Sequence, residues 1–285
     1  MGNEIKKIGI AGLGLIGGSL AKAIKQNTNH EVYGCDINET TFRRALLLNA
    51  VDGELTENTL PFCDVVIVAL YPKDVVGYIK TNAGSFKKGS LVIDCCGVKE
   101  YVCDAIFPVA GANGFTFVGG HPMAGLEHSG FKYSKKNLFS GASMILTPPK
   151  DVSIEVLYNV KNLFLELGFT NIQISAPKEH DQIIAFSSQL AHVVSSAYIK
   201  SPAAFEHKGF SAGSYKDLTR VAKLNEVMWA ELFLENSGNL AAEIDGIIER
   251  LAEYSRAIKD GDEAGLVELL RDGREKKALI DEEIF

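Results

Sequence analysis

The chain has 285 residues, 46% of them hydrophobic, with a formal net charge of −7. That length suits one large or two ordinary globular domains, and the hydrophobic content excludes a disordered chain. The charge disfavours nucleic acid or an acidic membrane as partner, no apolar run reaches the ~18–20 residues of a spanning helix, and a small anion held by a few local cations remains compatible.

The N-terminus lacks the apolar core of a secretory leader, because its first hydrophobic stretch, Ile5–Ala11, reads as a buried strand running into glycines. Leu15–Gln26 has helical spacing, Glu31–Cys35 is a second strand ending at Asp36, and Asn38–Asn49 is helical. Asp64–Leu70 (DVVIVAL) is an apolar strand, Lys73–Ala83 a helix and Ser90–Asp94 another buried strand. Phe115–Val118 and Ser143–Leu146 extend the series, and Pro148-Pro149 marks a turn. Val152–Leu167 is an amphipathic helix and Thr170–Ile174 an edge strand. Strands alternating with helices predict a parallel, doubly wound sheet. Beyond Pro177 strand signals vanish. The expected fold is an α/β Rossmann-type N-terminal domain over residues 1–175, followed by an all-α C-terminal dimerisation domain over 176–285. The five cysteines (Cys35, Cys63, Cys95, Cys96, Cys103) are odd in number and form no CxxC pair, as expected for reduced thiols in the cytoplasm.

Gly12-Leu13-Gly14-Leu15-Ile16-Gly17 is a GxGxxG loop that follows an apolar strand and opens a helix. Gly12 permits the tight turn, Gly14 lets the backbone approach a pyrophosphate, and Gly17 lets helix and strand pack closely. The helix N-terminus offers free N–H groups to the phosphates. Asp36 closes the second strand, where a carboxylate accepts both ribose hydroxyls and repels a 2′-phosphate. NAD is therefore expected rather than NADP, with Arg43 and Arg44 read as solvated helix charges. Leu70, ending the third strand, joins Leu15 and Ile16 as an expected cofactor contact.

Val118-Gly119-Gly120-His121-Pro122-Met123-Ala124-Gly125 ends an apolar strand on a histidine framed by glycines and a proline. Ligands of such sheets bind beyond the carboxyl ends of the strands, which aims His121 at the crevice as an acid–base group. Ile183–Ile199 carries no charged residue, as a buried helix would, and Gln189, His192 and Ser196 form a polar stripe on it, beside Ser188 and Ser195. A stripe of this kind suits a ligand cavity and a satisfied helix–helix contact equally. Ser214-Tyr215-Lys216-Asp217 has the form of a capping box opening a helix with Arg220, which suits either a carboxylate clamp or a surface ion pair with Asp217 or Glu226. Met228 and Trp229, the only tryptophan, are by residue type more often core.

GLGLIGGSLA, GGHPMAGLEHSG and SYKDLTRVAK…MWAELFLEN occur in this order. Together they resemble the prephenate/arogenate dehydrogenase family of tyrosine biosynthesis, from about residue 5 to residue 280. The resemblance implies NAD-dependent oxidative decarboxylation: hydride leaves the ring carbon bearing the hydroxyl, the ring carboxylate departs as CO2, and the ring becomes aromatic. It implies that His121 deprotonates that hydroxyl, that Arg220 binds a substrate carboxylate, and that His192 faces the substrate. By the same likeness Lys216 and Trp229 line the pocket, Glu127 stands near its mouth, and Gln189 occupies a position where some relatives have histidine. A homodimer through the helical half, an anionic small substrate and no metal are implied too. Many relatives carry a serine, contacting both histidine and nicotinamide, where this chain has Gly97. No regulatory domain is expected after the helices and no mutase domain before the glycine loop. Three alternatives stand beside prephenate: arogenate, a β-hydroxyacid with Lys99 as acid–base group, and a non-catalytic NAD-binding regulator.

Overall fold

The computed structural model describes residues 6–207, 209–210 and 212–284; Ile5 and Phe285, at the ends of the expected first strand and last helical stretch, lie outside the described residues. β1 (Lys7–Ala11), α1 (Leu15–Asn27), β2 (Glu31–Cys35), α2 (Glu39–Leu47) and the short β3 (Gly53–Glu54) form the first half of the Rossmann layer. β4 (Val65–Val68), α3 (Pro72–Asn82), β5 (Leu91–Asp94), α4 (Glu100–Asn113) and β6 (Thr116–Pro122) form the second. β7 (Ser143–Thr147), α5 (Ile154–Glu166) and β8 (Asn171–Ile174) complete a sheet of order β3-β2-β1-β4-β5-β6-β7-β8. The central strands are buried runs such as VVIV in β4, as expected of strands covered by helices on both faces. Two apolar clusters flank them, one with Ile8, Ile10, Leu20 and Phe164, the other with Val66, Val75, Val92 and Phe117.

The expected parallel sheet forms, with one departure at its edge. β1 to β6 are parallel, but β7 pairs antiparallel with β6 and carries β8 with it. The link between β6 and β7 contains only a single 3₁₀ turn at Phe131–Tyr133 and no crossover helix, so the chain returns against β6. Helix α4 gives little signal in the sequence, since Pro108 and Gly111 lie within it. Pro108 is exposed, and the helix ends at Gly114 in the left-handed conformation (φ +73°).

The later helices are α6 (Pro177–Ile184), α7 (Ala191–Tyr198), α8 (Gly213–Thr219), α9 (Glu226–Glu235), α10 (Ser237–Asp260) and α11 (Glu263–Ile284). Ile183–Ile199 is neither one helix nor buried throughout. A π-helical turn at Ala185–Leu190 joins α6 to α7, and Ile183, Phe186 and Tyr198 are exposed on one side while Ala185, Leu190 and Ser195 are buried on the other. The capping box at Ser214 does not form: Ala212 stands at the start of α8 without a side-chain cap, and Ser214 lies within the first turn. Arg220 ends that helix.

One compact unit extends to Asn236, past residue 175. The Asp181 carboxylate accepts the Lys99 and Glu100 N–H groups at 2.7 and 2.9 Å. Glu231 accepts the Lys73 N–H at 2.8 Å, and Lys73 pairs with Glu235 at 3.5 Å. These bonds fasten α6 and α9 to the Rossmann helices α4 and α3. The second unit, Ser237–Phe285, contains α10 and α11, joined by a turn at Gly261 and tied by Tyr254 Oη donating to the Leu269 carbonyl at 3.2 Å. Among the described residues no helix is long and apolar enough to cross a membrane.

Candidate active site

Gly12 turns the chain after β1 with φ +89°, and a Cβ there would stand 2.5 Å from the Ala69 carbonyl oxygen. Gly17 packs back onto this turn so closely that a Cβ would collide with the Gly12 carbonyl. Gly14 is the opposite case: nothing lies within 4 Å of where its Cβ would be. It caps α1 without any side-chain bond, so the first-turn N–H groups stay available to a phosphate. Leu15 and Ile16 are half-buried in that turn. Asp36 accepts the Leu13 N–H at 3.0 Å and the Asn38 N–H at 2.9 Å, which holds the carboxylate against the loop with lone pairs left over. Arg43 pairs with Glu39 at 2.5 Å, and Ile37 beside Asp36 is 98% exposed. Leu70 is half-buried and lies against Gly12. An open glycine at an uncapped helix start, beside a fixed carboxylate, fits a dinucleotide without a 2′-phosphate.

β6 delivers His121 to the carboxyl edge of the parallel strands, where its ring is half-buried. Its Nδ1 lies 2.9 Å from His180 Nε2, and His180 Nδ1 lies 2.7 Å from the Asp181 carboxylate. Beneath them Lys99 is fully buried and paired with Asp94, and its Nζ also donates to the Gly120 carbonyl at 2.7 Å. Lys99 therefore points into the protein and not into the crevice, which removes it as an acid–base group. Burial pushes the His121 pKa well below the ordinary imidazole range, helped by the His180 and Lys99 charges. His180 is pushed down by burial against the opposing pull of Asp181. His121 Nε2 lies 3.8 Å from where a Cβ on Gly97 would stand, and Leu232 of α9 closes the other side of that space at 3.5 Å.

His192 is half-buried on α7, with its Nδ1 bonded to the Ser188 carbonyl at 2.9 Å and its ring 3.9 Å from that of Trp229. Burial lowers its pKa, the Ser188 bond opposes this, and the nearby Arg220 guanidinium adds to the lowering. His192, Trp229 and Arg220 are thus grouped. Arg220 is exposed, and among the described residues no ion pair joins it to Asp217 or Glu226. Gln189 does not join this group: it is 1% exposed, donates to the Leu232 carbonyl at 3.1 Å and accepts from Asn236 at 2.8 Å. Its amide holds α9 in place. Lys216 is exposed on α8 and Glu127 is exposed in the loop after β6, with no hydrogen bond joining either to the histidines among the described residues. Sequence reasoning missed His180, Asp181 and Asp94. The adjacent His180-Asp181 pair opening α6 is a visible signal, but its target lies 59 residues away.

Comparison with known proteins accounts for both halves. Residues 20–172 match the prephenate dehydrogenase nucleotide-binding domain, and residues 176–272 the prephenate dehydrogenase dimerization domain. The prephenate dehydrogenase of Bacillus subtilis is 32% identical over 266 residues, covering 90% of this chain and 69% of that one. A cyclohexadienyl dehydrogenase of Zymomonas mobilis is 28% identical and covers 96% of each chain. The crystal structure of Aquifex aeolicus prephenate dehydrogenase with hydroxyphenyl propionate and NAD+ superposes with a TM-score of 0.86 at 30% identity, over 98% of this chain and 100% of that one. 3-Hydroxyisobutyrate dehydrogenase of Mycobacterium tuberculosis, at 17% identity and a TM-score of 0.56, shares the fold alone. The chain belongs to the prephenate dehydrogenase family.

Proposed function

We propose that this chain catalyses the NAD-dependent oxidative decarboxylation of prephenate to 4-hydroxyphenylpyruvate, with His121 as the base. The observation that carries this reading is the half-buried His121 at the strand ends, its Nδ1 bonded to His180 and its Nε2 facing Gly97. Gly12, Gly14, Leu15, Ile16, Gly17, Asp36, Leu70 and Gly97 would hold the dinucleotide. When bound, NAD+ supplies the hydride acceptor. His121 Nε2 takes the proton of the substrate hydroxyl as the C–O bond becomes a carbonyl. Loss of CO2 then returns the bonding electrons to the ring, which becomes aromatic, and the ring oxygen regains a proton. Arg220 supplies a cation for a substrate carboxylate, and the paired His192 and Trp229 rings supply an aromatic surface for the ring. Glu127 and Lys216 join this pocket only if their exposed side chains swing onto bound substrate. The hydroxyphenyl propionate held by the Aquifex enzyme has the aromatic acid form of the expected product.

A second copy of the chain is the natural cover for exposed Ile183, Phe186 and Tyr198, since they lie within the region matching the dimerization domain. All five cysteines are free, which suits a reducing compartment. The test is NADH formation by the purified chain with NAD+ and either prephenate or arogenate. Prephenate is expected to be oxidised with equimolar CO2 and the higher kcat/KM. Preference for arogenate would move the assignment to the amino-acid substrate, and failure of both would refute it.

A further inference from the structure

The Asp181 carboxylate is buried at the start of α4, where it accepts two backbone N–H groups, from Lys99 and Glu100. The oxygen that takes the Lys99 N–H is the one that faces His180, so it presents lone pairs there as an acceptor. His180 Nδ1, 2.7 Å away, must therefore carry a proton. A neutral His180 then has its lone pair on Nε2, 2.9 Å from His121 Nδ1, so His121 must donate from Nδ1. His121 is left with its lone pair on Nε2, the side that faces Gly97. The tautomer of His121 is set by a carboxylate two side chains away.

The reaction proposed above consumes no net proton: the hydroxyl proton is removed during oxidation and restored to the ring oxygen after decarboxylation. His121 must take a proton and give it back. The charged groups facing the two rings are Lys99 at the head of α4, Asp94 of β5 and Asp181 of α6. Lys99 and Asp94 are paired with each other, so Asp181 is the carboxylate that can offset an imidazolium.

We propose that His180 and Asp181 are positioning residues that fix His121 in its Nδ1–H form and share the proton it borrows. This rests on His121 being the base. As the substrate O–H bond breaks and the Nε2–H bond of His121 forms, the Nδ1 proton of His121 passes to His180 Nε2. The positive charge then lies beside Asp181, and the transfers reverse when the ring oxygen is reprotonated.

The experiment is nitrogen-15 NMR of histidine-labelled protein without ligands, assigned with His121→Asn, combined with pH profiles of kcat/KM. Wild-type His121 and His180 are both expected as Nδ1–H tautomers at neutral pH. His180→Phe removes the acceptor, so His121 should move towards the Nε2–H form and kcat/KM should fall about 10²-fold with a displaced acid limb, while NAD+ affinity holds. In His180→Gln the amide oxygen can still accept from His121, so the tautomer should persist with a loss of about tenfold, the shared proton being gone. An Nε2–H tautomer in the wild type would overturn the proposal. So would a His180→Phe enzyme with unaltered tautomer and pH profile, whatever its activity, or a His180→Gln enzyme with wild-type kcat/KM. Because the spectrum needs no turnover, it decides this proposal even if prephenate proves not to be the substrate.

Discussion

Lys99 and Asp94 form an ion pair with neither side chain exposed, and both reach the residue before His121. Lys99 Nζ donates to the Gly120 carbonyl at 2.7 Å, and Asp94 accepts the Gly120 N–H at 3.0 Å. A Cβ on Gly120 would stand 2.5 Å from the Asp94 backbone carbonyl oxygen, so the peptide bearing the histidine is held from three directions. Burial pulls the Lys99 ammonium down, yet Asp94 and then the neighbouring thiols hold its pKa above the ordinary lysine value.

Removing the cation alone strands a buried carboxylate. Lys99→Met should lose about 3–5 kcal/mol of stability in urea unfolding. The double variant Lys99→Met, Asp94→Asn should lose less than the sum of its singles, because each single leaves one charge uncompensated. Additive losses would show that the pair is not coupled.

Stability should fall on mild acidification. His121 and His180 are both held neutral by burial, below the ordinary value of 6.5. Below that value the unfolded chain binds protons that the folded one refuses, so their contribution is complete above it and lost as the pH falls towards the folded values. Melting temperature should drop between about pH 7.5 and pH 5.5, and His180→Gln should flatten that slope. An equal slope in the variant would remove His180 as a source.

Asp36 should select the cofactor. Its carboxylate is fixed by the Leu13 and Asn38 N–H groups, and Arg43 is occupied by Glu39. Asp36→Ser should weaken NAD+ about tenfold or more, the worth of about 1.5 kcal/mol for a hydrogen bond to a charged group. NADP+ should weaken less or improve. Calorimetric titration of both nucleotides measures the ratio, and an unchanged ratio would contradict the assignment.

Gly97 has no backbone need to be glycine, since its φ is not positive. A Cβ there would make ordinary contacts with Leu232 at 3.5 Å and His121 at 3.8 Å. Gly97→Ser should fold normally and gain roughly 0.4–1 kcal/mol by restricting the unfolded chain. A lower melting temperature would show that the space is smaller than it looks.

The parts legible in the sequence are those written locally. The glycine loop has strand, turn, helix and acid within about 30 residues, and a run such as VVIV has few alternatives to a buried strand. Helix α4 was hidden by Pro108 and Gly111, residues a helix tolerates when packing holds it. The reversal at β7 depends on what the chain omits, a crossover helix. Gln189 and His192 lie on one polar stripe, yet the π-helical turn and the bonds to Leu232 and Asn236 direct Gln189 into a helix contact, while His192 lies against Trp229. The His180-Asp181 pair was opaque because its partners, His121 and Lys99, lie 59 and 82 residues away.

The central claim is that His121 is the base of a prephenate oxidation, and steady-state NADH formation by the wild type and His121→Asn tests it most directly. With prephenate and NAD+ the wild type should turn over, and His121→Asn should lose about 10²–10⁴-fold in kcat with NAD+ affinity retained. Comparable turnover by the two proteins would contradict the account.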